Sequence, residues 1–112
     1  MADPVPILIK VKGSTAINTV ALLDLSTASF ADLLEDIYTA IHPRIPSAWF
    51  DKVEEYRIKK NEVVVVWANP DKLLPAVTEI SDENWRGVLE LIRVRRGMDV
   101  VQVAIGDASK VE

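Results

Sequence analysis

Apolar residues recur along this chain with two different periods, and the order in which those periods alternate limits the fold more than any other feature. From Pro6 to Lys12, Ile7, Ile9 and Val11 fall on one face and Leu8, Lys10 and Lys12 on the other, the period-two pattern of a half-buried strand. Gly13-Ser14-Thr15 supplies a turn, and Thr19 to Leu25 is a second β-favouring run, so the chain opens with a predicted hairpin. The period then lengthens. Phe30, Leu33, Leu34, Ile37 and Ile41 follow helical spacing and make one apolar stripe. Ser29, three residues ahead of Asp32, resembles a capping box at the start of this helix. Pro43 predicts its end, because proline disfavours helical geometry in the residue before it.

Strand character returns in Val53, Tyr56 and Ile58, and Val63 to Trp67 is a continuous β-branched run. Lys60-Asn61 between them can form a tight turn, which predicts a second hairpin. Four consecutive valines without alternation predict a strand covered on both sides or at the sheet centre. Ala68 to Ile80 reads as irregular. Ser81 or Asp82 is the expected cap of a second helix, with Asp82 and Glu83 opposing its dipole, and Trp85, Val88, Leu89 and Ile92 are its apolar stripe. Arg93, Arg95 and Arg96 fall near its end and Gly97 is the expected C-terminal cap; Val100, Val101, Val103 and Ile105 make a last strand. The expected class is therefore α+β, a mixed sheet with helices packed on it in the order ββαββαβ. If the last strand lies beside the first, this is the order of a ubiquitin-like β-grasp roll. The expected domain spans residues 7–105, between a short N-terminal tail at 1–6 and a polar C-terminal tail or linker start at 106–112.

Composition narrows the function. The 112 residues, 49% hydrophobic, suffice for one core. With no cysteine there is no disulfide framework, thiolate zinc site or thiol nucleophile, which suits a reducing interior. The run Ile7-Leu8-Ile9 ends at Lys10, too short for a signal peptide or membrane span, so a cytoplasmic location is expected, with a nuclear one as the alternative. A net charge of −4 and a pI near 5.0 argue against nucleic acid and anionic membranes as partners. Four scattered glycines offer no phosphate-cradling loop, and no cofactor or metal is expected.

The candidate contact residues are few. Lys10 and Lys12 share a strand face and are placed to reach carboxylates of one partner, or simply to keep an exposed sheet soluble. Trp49-Phe50, in a Pro-rich loop, either folds back over the sheet edge or anchors a partner. Asp71 is a loop carboxylate with no capping role. His42 sits at a helix C-terminus, where a cation is favourably placed against the dipole; catalytic use would require a nucleophile or orienting acid brought to it by folding.

Ile7-Leu8-Ile9-Lys10-Val11-Lys12-Gly13, Ser29-Phe30-Ala31-Asp32-Leu33-Leu34 and Ile80-Ser81-Asp82-Glu83-Asn84-Trp85 together resemble the Phox-and-Bem-one (PB-one) interaction domain, a β-grasp branch. That resemblance spans roughly Ile7 to Ile105. It implies head-to-tail association in which a basic first-strand surface, here Lys10, docks on an acidic loop of a partner. The matching loop, Ala68-Asn69-Pro70-Asp71-Lys72, offers Asp71 and a lysine where the family clusters several acids. The functional expectation is a non-catalytic module, scaffold or adaptor, that binds another protein or itself. The alternative is a small ligand-binding or enzymatic β-grasp domain with a site near His42; self-assembly through exposed strand edges is a third possibility.

Overall fold

The alternation of the first strand sets up the whole sheet. In the computed structural model, which describes residues 4–14, 17–68, 75–95 and 98–110, β1 (Val5–Val11) buries Val5, Ile7, Ile9 and Val11 and turns Pro6, Leu8 and Lys10 the other way. β2 (Asn18–Leu23) returns antiparallel, with Val5 opposite Leu23 and Lys10 opposite Asn18. Gly13 makes the reversal possible at φ +84°, a left-handed conformation that side chains disfavour.

At the start of α1 (Phe30–Ile41) the Asp32 backbone N–H donates to Ser29 Oγ at 3.1 Å, the hydroxyl half of the expected capping box. The end of the helix differs in one respect. The α-helix stops at Ile41, but His42 keeps helical dihedrals (φ −50°, ψ −46°) despite preceding proline, and His42–Arg44 continue as a 3-10 turn. Pro43 lies in the first turn of that segment, where its missing N–H leaves no bond unmade. A second 3-10 turn, Ser47–Asp51, leads to the sheet.

The second hairpin does not form. Lys60-Asn61 lies inside one long strand, β3 (Tyr56–Val66), both halves of which pair with β5 (Val100–Asp107). Ile58 faces Ile105 and Val63 faces Val103, so Lys59, Lys60, Asn61 and Glu62 stand against Ala104 alone. The polar residues form an outsized bulge instead of a turn, because β5 offers a partner to both apolar runs. Lys60 and Asp82 form an ion pair at 3.0 Å over the bulge, and Lys59 and Glu62 one at 3.6 Å within it. Excising Lys60 and Asn61 should therefore leave an ordinary bulge and an intact ladder, at a stability loss of about 1 kcal/mol or less. A turn at this position would make the same deletion unfold the domain, and urea denaturation separates the two outcomes.

The partner that β3 takes on its other side is β4 (Val77–Glu79), a short strand within the stretch read as irregular. Trp67 Nε1 donates to Thr78 Oγ1 at 2.8 Å and holds it there. α2 (Trp85–Val94) is not capped by Ser81 or Asp82. Asn84 occupies the capping position, and its side chain turns back, Oδ1 accepting from the Ser81 N–H and Nδ2 donating to the Glu79 carbonyl. β5 runs to Asp107, two residues past the expected boundary, and Ser109 donates through its backbone N–H and hydroxyl to the Asp107 carboxylate to close a turn there. Those two bonds, the hydroxyl's first, hold Asp107 below the usual carboxylate value of 3.8.

The strand order is β2-β1-β5-β3-β4, with β1 and β5 parallel and all other neighbours antiparallel. Phe30, Leu33, Ile37 and Ile41 of α1 and Trp85, Val88, Leu89 and Ile92 of α2 join the inward residues of β1, β3 and β5 in one buried cluster. Both helices thus cover a single face. At the edge of that core Asp99 is 1% exposed, the one buried charged residue among those described. Its carboxylate accepts from Arg95 Nε at 2.7 Å, from Arg95 Nη2 at 3.0 Å and from the Ala68 N–H at 2.7 Å, while Arg95 Nη2 also donates to the Ala68 carbonyl. Arg95 lies 5.7 Å from the Trp67 ring centroid, so the end of β3 is clamped to the connection between α2 and β5.

Candidate functional site

With both helices on one side, the other side of the sheet stays open, and the register states which residues share it, since directly paired residues project to the same face. One transverse row reads Val20, Leu8, Val100, Val66, Val77 across β2, β1, β5, β3 and β4. The next reads Asn18, Lys10, Gln102, Val64, Glu79. None of the valines or leucines in these rows belongs to the core cluster or packs against it. Val20 is 63% and Val77 48% exposed, and Leu22, opposite Pro6, is 69% exposed. The result is an apolar band that crosses all five strands, with a cation on one side of the neighbouring row and an anion on the other.

The two lysines singled out in the sequence part company here. Lys12 Nζ lies 3.8 Å from Glu62 Oε1, so a carboxylate of the bulge already attends it. Lys10 is exposed and makes no ion pair among the described residues; the Glu79 carboxylate, also exposed, makes none either. Lys10 and Glu79 stand three strand spacings apart, about 14 Å, too far to pair with each other within one sheet.

Trp49 and Phe50 are half-buried and packed against the core from the second 3-10 turn. Tyr56 organises them: its hydroxyl donates to the Trp49 carbonyl at 2.7 Å, and its ring meets Phe50 edge-on at 5.4 Å and Trp49 at 6.0 Å. His42 joins the same cluster, between Tyr38 at 5.6 Å and Phe50 at 5.8 Å. Beside it, α1 and the first half of β3 enclose a groove of about 510 Å³ lined by Leu34, Tyr38, Tyr56 and Ile58, with Glu35 and Arg57 at its polar margin; His42 is not part of that lining. The Tyr38 hydroxyl is buried there without a hydrogen-bond partner among the described residues. Burial, the largest cause, pushes its pKa above the ordinary 10.0, and the Tyr56 backbone acts in the opposite direction. Asp71 lies outside the described residues, as do Arg96 and Gly97. Among the described residues no group of three or more histidine and carboxylate side chains could hold a metal ion, and no helix is long and apolar enough to cross a membrane.

No family model, no curated protein and no solved structure matches the chain. The chemistry of the surface must therefore be read from its own residues. The apolar band escaped the sequence reading, although two signals for it were present: Leu8 on the polar side of β1, and the unbroken valines of β3, half of which turn to this face.

Proposed function

We propose that the chain is a ubiquitin-like β-grasp domain of the PB-one kind, and that it works without catalysis, by binding another protein through the open face of its sheet around Lys10. Two central parallel strands, β1 and β5, flanked by the antiparallel β2 and β3, support the fold assignment. One observation carries the functional part: Lys10 is an exposed cation with no carboxylate of its own among the described residues, set beside an apolar band five strands wide. Apolar contact supplies affinity in such a surface, and the charge sets encounter rate and selects acidic partners. Lys12, held by Glu62, contributes to the local potential. Trp49 and Phe50 pack against the core beside Tyr56, at the other end of β3 from this band.

Lys10→Glu should leave the far-UV spectrum and melting temperature unchanged, since the side chain is exposed, and should weaken partner binding about tenfold, with the effect shrinking in high salt. The measurement is quantitative affinity capture with immobilised wild-type and variant domain, followed by titration of the captured protein. Equal capture and equal affinity by the variant would remove this face from the mechanism.

A further inference from the structure

We infer that one partner of the open face is a second copy of this chain, bound face to face about a twofold axis that runs parallel to the strands between β5 and β3. The inference rests on the protein-binding reading above and names the partner. Its basis is a symmetry in the two rows of side chains. Counting outward from a line between β5 and β3, Val100 and Val66 are nearest, Leu8 and Val77 come next in the same row, and Lys10 and Glu79 occupy the corresponding places in the neighbouring row.

A twofold axis along that line carries each strand position onto its mirror position on the second copy. Val100 then meets Val66 of the second copy, Leu8 meets its Val77, and Lys10 meets its Glu79, each contact occurring twice as a closed, isologous interface requires. Lys10 and Glu79 each lie about 7 Å from the axis, one and a half strand spacings, so they fall inside the overlap. Stacked sheets stand about 10 Å apart, a gap that valine and leucine fill and that lysine and glutamate side chains can span together. The sign of the charges selects this axis over its perpendicular alternative. An axis along the polar row would set Lys10 against Lys10 and Glu79 against Glu79. Gln102 opposite Val64 is the one unmatched position, and Val20 and Leu22 project past the edge of the second copy's β4.

The dimer differs from head-to-tail association in being closed: it stops at two. The test is sedimentation velocity and light scattering on the full chain from about 10 μM to 1 mM, with wild type, Lys10→Glu, Glu79→Lys and the double charge reversal. The expected result is a wild-type mass that rises from 12.5 kDa and levels off at twice that value. Each single reversal turns two attractive contacts into repulsive ones and weakens the dimer by roughly 10- to 30-fold, and the double reversal restores it. Three results would overturn the inference: a wild type monomeric throughout, a dimer indifferent to both single reversals, or mass growing past two copies. If wild type stays monomeric while Lys10→Glu still loses a captured protein, only the second copy is excluded. If capture is also unaffected, the protein-binding reading fails with it.

Discussion

Replacing Asp99 by alanine should lower stability by about 3 kcal/mol and the melting temperature by roughly 10–15 °C. The size follows from what is left behind. Asp99 is the buried acceptor for Arg95 Nε and Nη2 and for the Ala68 N–H, so its removal takes the carboxylate from beside the guanidinium and leaves a backbone donor without its acceptor at the edge of the core. The damage should therefore exceed the net worth of the ion pair itself. A double replacement, Arg95→Met with Asp99→Leu, removes both charges and should recover part of the loss, as hydrophobic substitution of buried pairs commonly does. Urea denaturation of the single and double variants decides the matter. A loss under about 1 kcal/mol for Asp99→Ala would mean that Arg95 finds water as a ready substitute, and that the clamp does not hold the end of β3.

Trp85→Ala should destabilise by about 4 kcal/mol, a large share of the 5–15 kcal/mol typical of a domain this size. Trp85 is 2% exposed and begins the stripe completed by Val88, Leu89 and Ile92, so the truncation opens a cavity between α2 and the sheet. It also removes the ring that Arg86 covers at 4.3 Å while donating to the Thr27 and Ala28 carbonyls, which joins α2 to the segment ahead of α1. Trp85→Phe, which keeps an aromatic body in place, should lose roughly half as much. Equal losses from the two substitutions would point to the indole edge and away from cavity volume. The comparison is made by chemical denaturation followed through the far-UV signal, because Trp49 and Trp67 would complicate fluorescence.

Much of this architecture was legible because local periodicity and burial agree. The β1 alternation, the α1 stripe with its Ser29 cap, and the Trp85–Ile92 stripe of α2 all stand where the pattern puts them. Each needs only neighbours in sequence to be recognised, since a strand or a helix has one face to hide. The misreadings share a different cause. Lys60-Asn61 has the local chemistry of a turn and becomes a bulge because β5, about forty residues away in sequence, pairs with both flanking runs. Val77–Glu79 is too short to announce itself and is a strand only because Val64, Val65 and Val66 present a free edge. Asp99 carries no local sign of burial. Its role depends on Arg95 and Ala68 arriving from α2 and β3.

The candidate surface divides in the same way. Lys10 was visible in the sequence as an outward lysine on the first strand, and its neighbour Lys12 looked equivalent. The bulge separates them by bringing Glu62 to Lys12 and leaving Lys10 without a carboxylate among the described residues. The apolar band and the place of Glu79 across from Lys10 depend on strand order, which no single segment encodes. The sequence by itself determined which residues of each element turn inward, because the backbone's own periods dictate that. The tertiary structure alone decided which outward residues become neighbours, because pairing between distant strands depends on the free energy of the whole sheet.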